Sequence, residues 1–297
     1  MRLLRRISRR ALVVAVAMIV PVVAGVTPAN AASWQIVASP NPAGGRYDDL
    51  TGVSGTSASD IWSVGMEFVN SSHSFPIIEH YNGAAWRLVS SAQPTQAGDL
   101  SAVAALTPAN VWAVGNGHTP AGVNAPMIQH YDGTGWTEVP APVTTPGLLT
   151  GLAAVSASNI WAVGSRPVPT GIVSNADGLV EHAIVQHFNG TRWSLARAPD
   201  LGPNYPINTF NTVLALSPGN VWAIGQSATG NQTKPVVPLV EHFNGTRWTV
   251  QAAPSLSGNS ILSFDGLVTT GSGRLWSVGS RNPAGTTVWQ TLSARYS

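Results

Sequence analysis

Asn220-Val221-Trp222-Ala223-Ile224-Gly225, followed by His242-Phe243-Asn244-Gly245-Thr246-Arg247-Trp248, is one copy of a pattern that this chain writes five times. Self-similarity at such a period marks a repeat architecture in which each copy is one supersecondary unit. The preceding copies run from Asp60 to Gly65 with His80 to Trp86, from Asn110 to Gly115 with His130 to Trp136, and from Asn159 to Gly164 with His187 to Trp193. Each copy is led by two apolar residues three apart: Leu50 and Val53, Leu100 and Val103, Leu149 and Leu152, Phe210 and Val213. The fifth copy is broken. It supplies Phe264, Leu267 and Leu275-Trp276-Ser277-Val278-Gly279, reaches Arg295-Tyr296, and stops at Ser297. Its missing final tryptophan has a counterpart at the other end of the sequence, Trp34.

Each copy reads as four short strands, because apolar and β-branched residues alternate over short stretches punctuated by Gly, Pro, Asn and Ser. Asn82-Gly83, Asp132-Gly133, Asn189-Gly190 and Asn244-Gly245 join the third and fourth strands and suit the positive φ of type I′ turns. The Trp-x-Val/Ile-Gly strand is apolar on both faces, as a strand sandwiched between layers must be. Gly55, Ala105, Ala154 and Ala215 share one position on the first strand, as expected where strands crowd around an axis. Together these features predict an all-β five-bladed β-propeller with four antiparallel strands per blade, an arrangement that also hides the long sheet edges. The strand from Trp34 to Val37 is expected to close the last blade.

Residues 1–31 read as a signal peptide. Arg2, Arg5, Arg6, Arg9 and Arg10 precede an apolar run from Ala11 to Val26 and a small-residue site at Ala29-Asn30-Ala31. Residues 32–297 are then a single domain, expected to be secreted, monomeric and free of the membrane after signal removal. Of the 15 basic residues five lie in the removed segment, so the remainder carries 10 against 13 acids, a formal charge of −3. Such a surface has no electrostatic footprint for nucleic acid. The chain has no cysteine, so no disulfide framework supports it and burial must supply the stability.

With its Trp-Ala-Val-Gly and His-aromatic-Asn-Gly-x-x-Trp blocks, the chain resembles secreted bacterial β-propeller repeat proteins and is broadly similar to kelch or galactose-oxidase-like propellers. The likeness covers residues 32–297 and implies an architecture more than an activity. The kelch double glycine and the Ser-x-Asp-x-Gly-x-x-Trp box of sialidase-like propellers are both absent.

Comparison between copies separates scaffold from site. Glu79, Gln129, Gln186 and Glu241 share a position, so the requirement there is a hydrogen-bonding group of that length and not a charge. Asp60, Asn110, Asn159 and Asn220 read as turn-capping side chains. His80, His130, His187 and His242 recur one copy apart, too dispersed to converge on a metal, and read as imidazoles hydrogen-bonding between blades. The repeated tryptophans read as core. No His-Glu-x-x-His, P-loop or Gly-x-Ser-x-Gly pattern occurs, so no catalytic residue, metal ligand or cofactor is assigned.

A site then belongs where the repeat breaks down, in the connections at 66–76, 116–126, 165–183, 226–238 and 280–287 and between blades, which share one face of the disc. Asp49, Asp99 and Asp265 lie at the starts of innermost strands. Arg166, Glu181 and His182 bracket the longest insertion, and Trp289 is the one aromatic of its kind outside the repeat. These seven are the candidate ligand-binding residues. Three readings fit them: a binding module for a glycan or cell-envelope polymer, a glycoside hydrolase or lyase with acids at the channel mouth, and a scaffold for an extracellular protein. The first is preferred, since asparagines and aspartates suit sugar hydroxyls and aromatics suit sugar rings.

Overall fold

The computed structural model describes residues 34–296 except 44–45, 71–72, 93–96, 120, 144–145, 168–179, 203, 230–235, 255–258 and 271–273. The signal-peptide reading of 1–31 and most of the 165–183 insertion lie outside the described residues. Residues Ala38–Ser297 form one compact unit. Nineteen strands and no helix occur among the described residues.

The strands follow the sequence repeat. The first sheet orders β1 (Tyr47–Ser57), β2 (Asp60–Asn70), β3 (His73–Tyr81) and β4 (Trp86–Leu88) as an antiparallel meander. The second does the same with β5 (Gly98–Thr107), β6 (Asn110–His118), β7 (Asn124–Tyr131) and β8 (Trp136–Glu138). The third holds β9 (Leu148–Ser156), β10 (Asn159–Pro167), β11 (Glu181–Phe188) and β12 (Trp193–Ala196). The fourth holds β13 (Ile207–Ser217), β14 (Asn220–Ala228), β15 (Val237–Phe243) and β16 (Trp248–Val250), and touches the third through one parallel pair, Glu181 with Ile207. The fifth has three strands, β17 (Asn259–Thr269), β18 (Leu275–Pro283) and β19 (Gln290–Tyr296).

The glycine of each Trp-x-Val/Ile-Gly run has a steric cause. A Cβ on Gly65, Gly115, Gly164, Gly225 or Gly279 would collide with a first-strand carbonyl oxygen, that of Asp49, Asp99, Leu148, Thr209 or Ser263. Next to that contact the register slips by one residue in every sheet, with Thr51, Ser101, Thr150, Asn211 or Asp265 as the extra residue. A bulge re-aims its side chain. Thr51 Oγ1 donates to Leu100 O at 2.7 Å, Thr150 Oγ1 to Phe210 O at 2.6 Å, and Asn211 Nδ2 to Phe264 O at 2.8 Å, linking one first strand to another.

The hairpins differ from the expected type I′ turns. Tyr81 pairs with Trp86 across a four-residue loop, and among the described residues no residue other than glycine has positive φ. Asn82 Oδ1 accepts from the N–H groups of Ala84 and Ala85, both at 3.1 Å, which holds the asparagine in an ordinary conformation and leaves the left-handed one to Gly83 at φ 91°. Asp132, Asn189 and Asn244 cap their loops alike. The connections at 66–76 and 116–126 are also more regular than their sequences suggest, since Met66–Asn70 and His73–Pro76 are paired strand.

Four hydrophobic cores lie between successive sheets. At each of the first three junctions a second-strand tryptophan meets the last-strand tryptophan of the next sheet edge-on: Trp62 with Trp136 at 5.5 Å, Trp112 with Trp193 at 5.7 Å, Trp161 with Trp248 at 5.5 Å. Trp222 meets Tyr296 of the fifth sheet at 4.8 Å and has no second indole among the described residues. The two ends of the series stay open. Leu50 and Val53 of the first sheet are 42% and 68% exposed, although their counterparts Leu100 and Val103 are buried, and Trp276 and Val278 of the fifth are exposed as well.

The expected closing strand is not formed. Residues 34–37 carry no strand, Trp34 is fully exposed, and among the described residues β19 pairs with β18 alone. The other last strands are tied to their neighbours by a four-residue loop, whereas this one is separated from its proposed partner by nearly the whole chain, and loop closure over that distance has the larger entropic cost.

Candidate functional site

Three of the four repeated histidines are hydrogen-bonded inside their own sheets, not between sheets as their sequence pattern suggested, and the fourth, His187, lies against Trp161 with no hydrogen-bond partner for its Nε2 among the described residues. His80 Nε2 lies 2.8 Å from Asp60 Oδ1, His130 Nε2 2.9 Å from Asn110 Oδ1, and His242 Nε2 2.9 Å from Asn220 Oδ1. The asparagine oxygen also accepts from the indole N–H of Trp112 or Trp222, each at 2.9 Å, and each imidazole lies against its indole at 4.2 to 4.3 Å. Burial lowers the pKa of His130, His187 and His242, which favours the neutral ring. Asp60 differs: burial opposes its ionisation, but hydrogen bonds from Thr56 and His80 outweigh that and hold it below the usual carboxylate range. The turn position therefore serves as an acceptor for histidine and tryptophan, beyond the turn-capping role its sequence suggested.

The Glu/Gln position is buried in every sheet that has it. Ser39 Oγ donates to the Glu79 carboxylate, and Ser91 Oγ and the Ala92 N–H reach Gln129 Oε1. Gln186 and Glu241 have no hydrogen-bond partner among the described residues. Burial, with the charge of Asp200 beside it, pushes Glu241 up to about 8, so this carboxyl is largely protonated at neutral pH.

The candidate residues divide into groups. Asp49 and Asp99 start their first strands opposite Met66 and Asn116, so they lie at the same strand ends as the second-to-third-strand connections. Asp99 is half-buried, which raises its pKa against the hydrogen bonds of Ser101 and Asn116. Asp265 sits elsewhere, at the bulge of β17, where its Oδ1 accepts from Ser263 Oγ at 2.8 Å and Asn211 Nδ2 at 3.1 Å. Trp289 is 55% exposed, next to β19.

Arg166 and His182 are brought together on one face, since they pair across β10 and β11, while Glu181, one residue before His182 on the same strand and paired with Pro167, faces the other way. Burial raises Glu181. His182 Nδ1 bonds Asp200 Oδ2, and Asp200 in turn acts on Glu241. Asp200 was not singled out in the sequence; its signal is its position in the 197–206 connection, a region where the repeat lapses. Among the described residues no group of three or more His, Asp or Glu is placed to hold a metal ion.

No protein-family model matches the sequence, and no curated protein matches it. Comparison of structures finds distant likenesses. One is a xylan β-1,4-xylosidase from Bacillus halodurans C-125, at 10% identity and a TM-score of 0.42, covering 82% of this chain and 52% of that one. A thermostable family-43 glycoside hydrolase is 11% identical at a TM-score of 0.44, with 87% and 92% covered, and YCF48 from Cyanidioschyzon merolae 13% at 0.46, with 85% and 73%. The chain thus spans about half the length of the xylosidase. At this overlap the likenesses assign neither ligand nor activity.

Proposed function

We propose that residues 32–297 are a secreted glycan-binding module built as a five-bladed propeller. The observation that carries the binding assignment is the division of labour among polar side chains. Most of those repeated from sheet to sheet are committed to the scaffold, His80, His130 and His242 to their turn residues and Glu79 and Gln129 to serines, while His187, Gln186 and Glu241 have no such partner among the described residues. The unrepeated Arg166 and His182 stand side by side at the variable ends of β10 and β11, with Asp200 bonded to His182 and Glu181 on the opposite face. Convergent donors and acceptors on rigid strands suit the hydroxyls of a sugar, and side chains already held by a sheet lose little entropy on binding.

The experiment is a glycan array with the purified protein, followed by product analysis of every hit. Binding without turnover, lost on Arg166→Ala or His182→Ala, supports the module. Cleavage of a bound glycan moves the case to the hydrolase or lyase reading, with Asp→Asn changes at 49, 99 and 265 as the next step. A blank array leaves the extracellular-scaffold reading.

A further inference from the structure

We propose that the junction between the third and fourth sheets carries a second sugar-binding cleft, selective for acidic residues of a glycan such as a uronate; this rests on the glycan reading of the protein. The cleft has a volume of about 450 Å³ and is formed where the chain leaving β12 passes the β15–β16 hairpin. Arg197 and Arg247 both line it, and both are exposed. Its remaining lining is apolar or neutral, with Pro199, Phe243 and Trp248 as wall and the Thr246 hydroxyl at the rim; no acidic side chain lines it.

Two guanidinium groups facing one cleft without a carboxylate repel each other, and an anionic ligand relieves that repulsion. A guanidinium presents a planar fork that matches a carboxylate bidentately, and a weakly hydrated cation beside aromatic surface suits a sugar that is apolar on its ring face and charged at its edge. Among the described residues neither guanidinium is engaged in an ion pair, since the pairs found there are His80 with Asp60 and His182 with Asp200. Thr246 Oγ1 already donates to Asn244 Oδ1 at 2.7 Å, which leaves its lone pairs free to accept a sugar hydroxyl.

The repeat argues that the arginines are not there for the fold. The residue four after the last-strand tryptophan is Ser90, Pro140, Arg197 and Ala252 in successive copies, and the residue before that tryptophan is Ala85, Gly135, Arg192 and Arg247. The junction of the first and second sheets thus combines Ser90 with Gly135, and that of the second and third combines Pro140 with Arg192. Neutral residues build the first of these junctions and a single cation suffices in the second, and only at the third do both positions carry one.

The test is titration calorimetry of the purified protein with a galacturonate trisaccharide, its methyl ester and a neutral galactose trisaccharide. The expected result is binding of the acid form, weakened about tenfold or more by esterification and by Arg197→Gln or Arg247→Gln, the loss expected when a charge-assisted bond is removed. The melting temperature of each variant should stay that of the parent. Equal affinity for acid and ester, or an acid form held unchanged by both variants, overturns the proposal. If neutral glycans bind and the acid form does not, the acidic cleft is wrong while the glycan-binding function stands. If no glycan of either kind binds, both readings fail, and capture of an acidic peptide that is lost in the two variants would assign the cleft to a protein partner instead.

Discussion

Ser39 Oγ reaches the Glu79 carboxylate, 2.9 and 2.7 Å from its two oxygens, and Ser91 Oγ holds Gln129 in the equivalent place one sheet later. Ser91 lies five residues after Trp86, and Ser39 lies five residues after Trp34. The segment entering the first sheet therefore follows Trp34 as each inter-sheet connection follows its tryptophan. In the next two connections the fifth residue is Ala141 or Ala198, and Gln186 and Glu241, which occupy the position of Gln129 in the following sheets, have no hydrogen-bond partner among the described residues. An unmet buried polar group costs about 1–3 kcal/mol, so a missing hydroxyl is a measurable defect.

Replacing the hydroxyl should show it in both directions. Ser91→Ala is expected to destabilise by about 1–3 kcal/mol, because Gln129 keeps the Ala92 N–H but loses its side-chain partner. Ala198→Ser should stabilise by about 1 kcal/mol by supplying Glu241 with a donor. Urea unfolding of the two variants measures both, and an Ala198→Ser protein no more stable than its parent would show that the serine does not reach the carboxyl.

Glu241 sets a pH dependence of known sign. Its carboxyl titrates near 4.5 when unfolded and at about 8 in the buried site. Between these values the folded protein keeps a proton that the unfolded chain has released, so stability falls as pH rises from about 4.5 to about 8. Above that window the whole penalty is present. Glu241→Gln, which installs the residue found at positions 129 and 186, should remove this contribution. Thermal melts at pH 5 and pH 8.5 should then nearly coincide for parent and variant at the lower pH and favour the variant at the higher.

The first-strand carbonyls explain a motif glycine that the sequence marks without giving the reason. Gly225→Ala should destabilise by about 1–3 kcal/mol or more, because the added methyl meets Thr209 O, a backbone atom that cannot swing aside. Gly135→Ala is the control: nothing lies within 4 Å of a Cβ there, and its effect should stay within about 0.5 kcal/mol. Equal losses in calorimetric melts would mean that the glycine serves chain flexibility and not close approach.

How much was legible follows from what repeats. The strand order, the buried Trp-x-Val/Ile-Gly strand and the shared role of Glu79 and Gln129 could be read because four copies state them independently. The bulge at Asp265 could not, since a register slip arises from packing between strands and leaves no mark on a period-two pattern. The histidines were recognisable as structural, but their acceptors, 20 to 22 residues away, become neighbours only once the second and third strands pair. Asp200 and the Arg197–Arg247 cleft were invisible for the opposite reason: each occurs once, and only the folded junction brings it to its partners.

Closure of the ring, were it to form, would be felt at Trp222. Three second-strand tryptophans each meet an indole from the next sheet at 5.5 to 5.7 Å, while Trp222 faces a cleft of about 500 Å³ lined by Ile224, Phe264, Leu275, Leu292 and Tyr296. Tyr81, Tyr131, Phe188 and Phe243 each pair across their hairpin with the last-strand tryptophan, so the residue called for opposite Tyr296 is a tryptophan, and Trp34 has the right spacing to Ser39. If Trp34 fills that position, Trp34→Ala should cost about 3–5 kcal/mol, the usual loss for truncating a buried tryptophan, and deleting residues 32–40 should abolish cooperative melting. Trp289→Ala, at an exposed indole, should stay within about 0.5 kcal/mol. A Trp34→Ala protein that melts with the Trp289→Ala control would show that the fifth sheet ends at β19 and that the open faces of Leu50, Val53, Trp276 and Val278 belong to a contact other than ring closure.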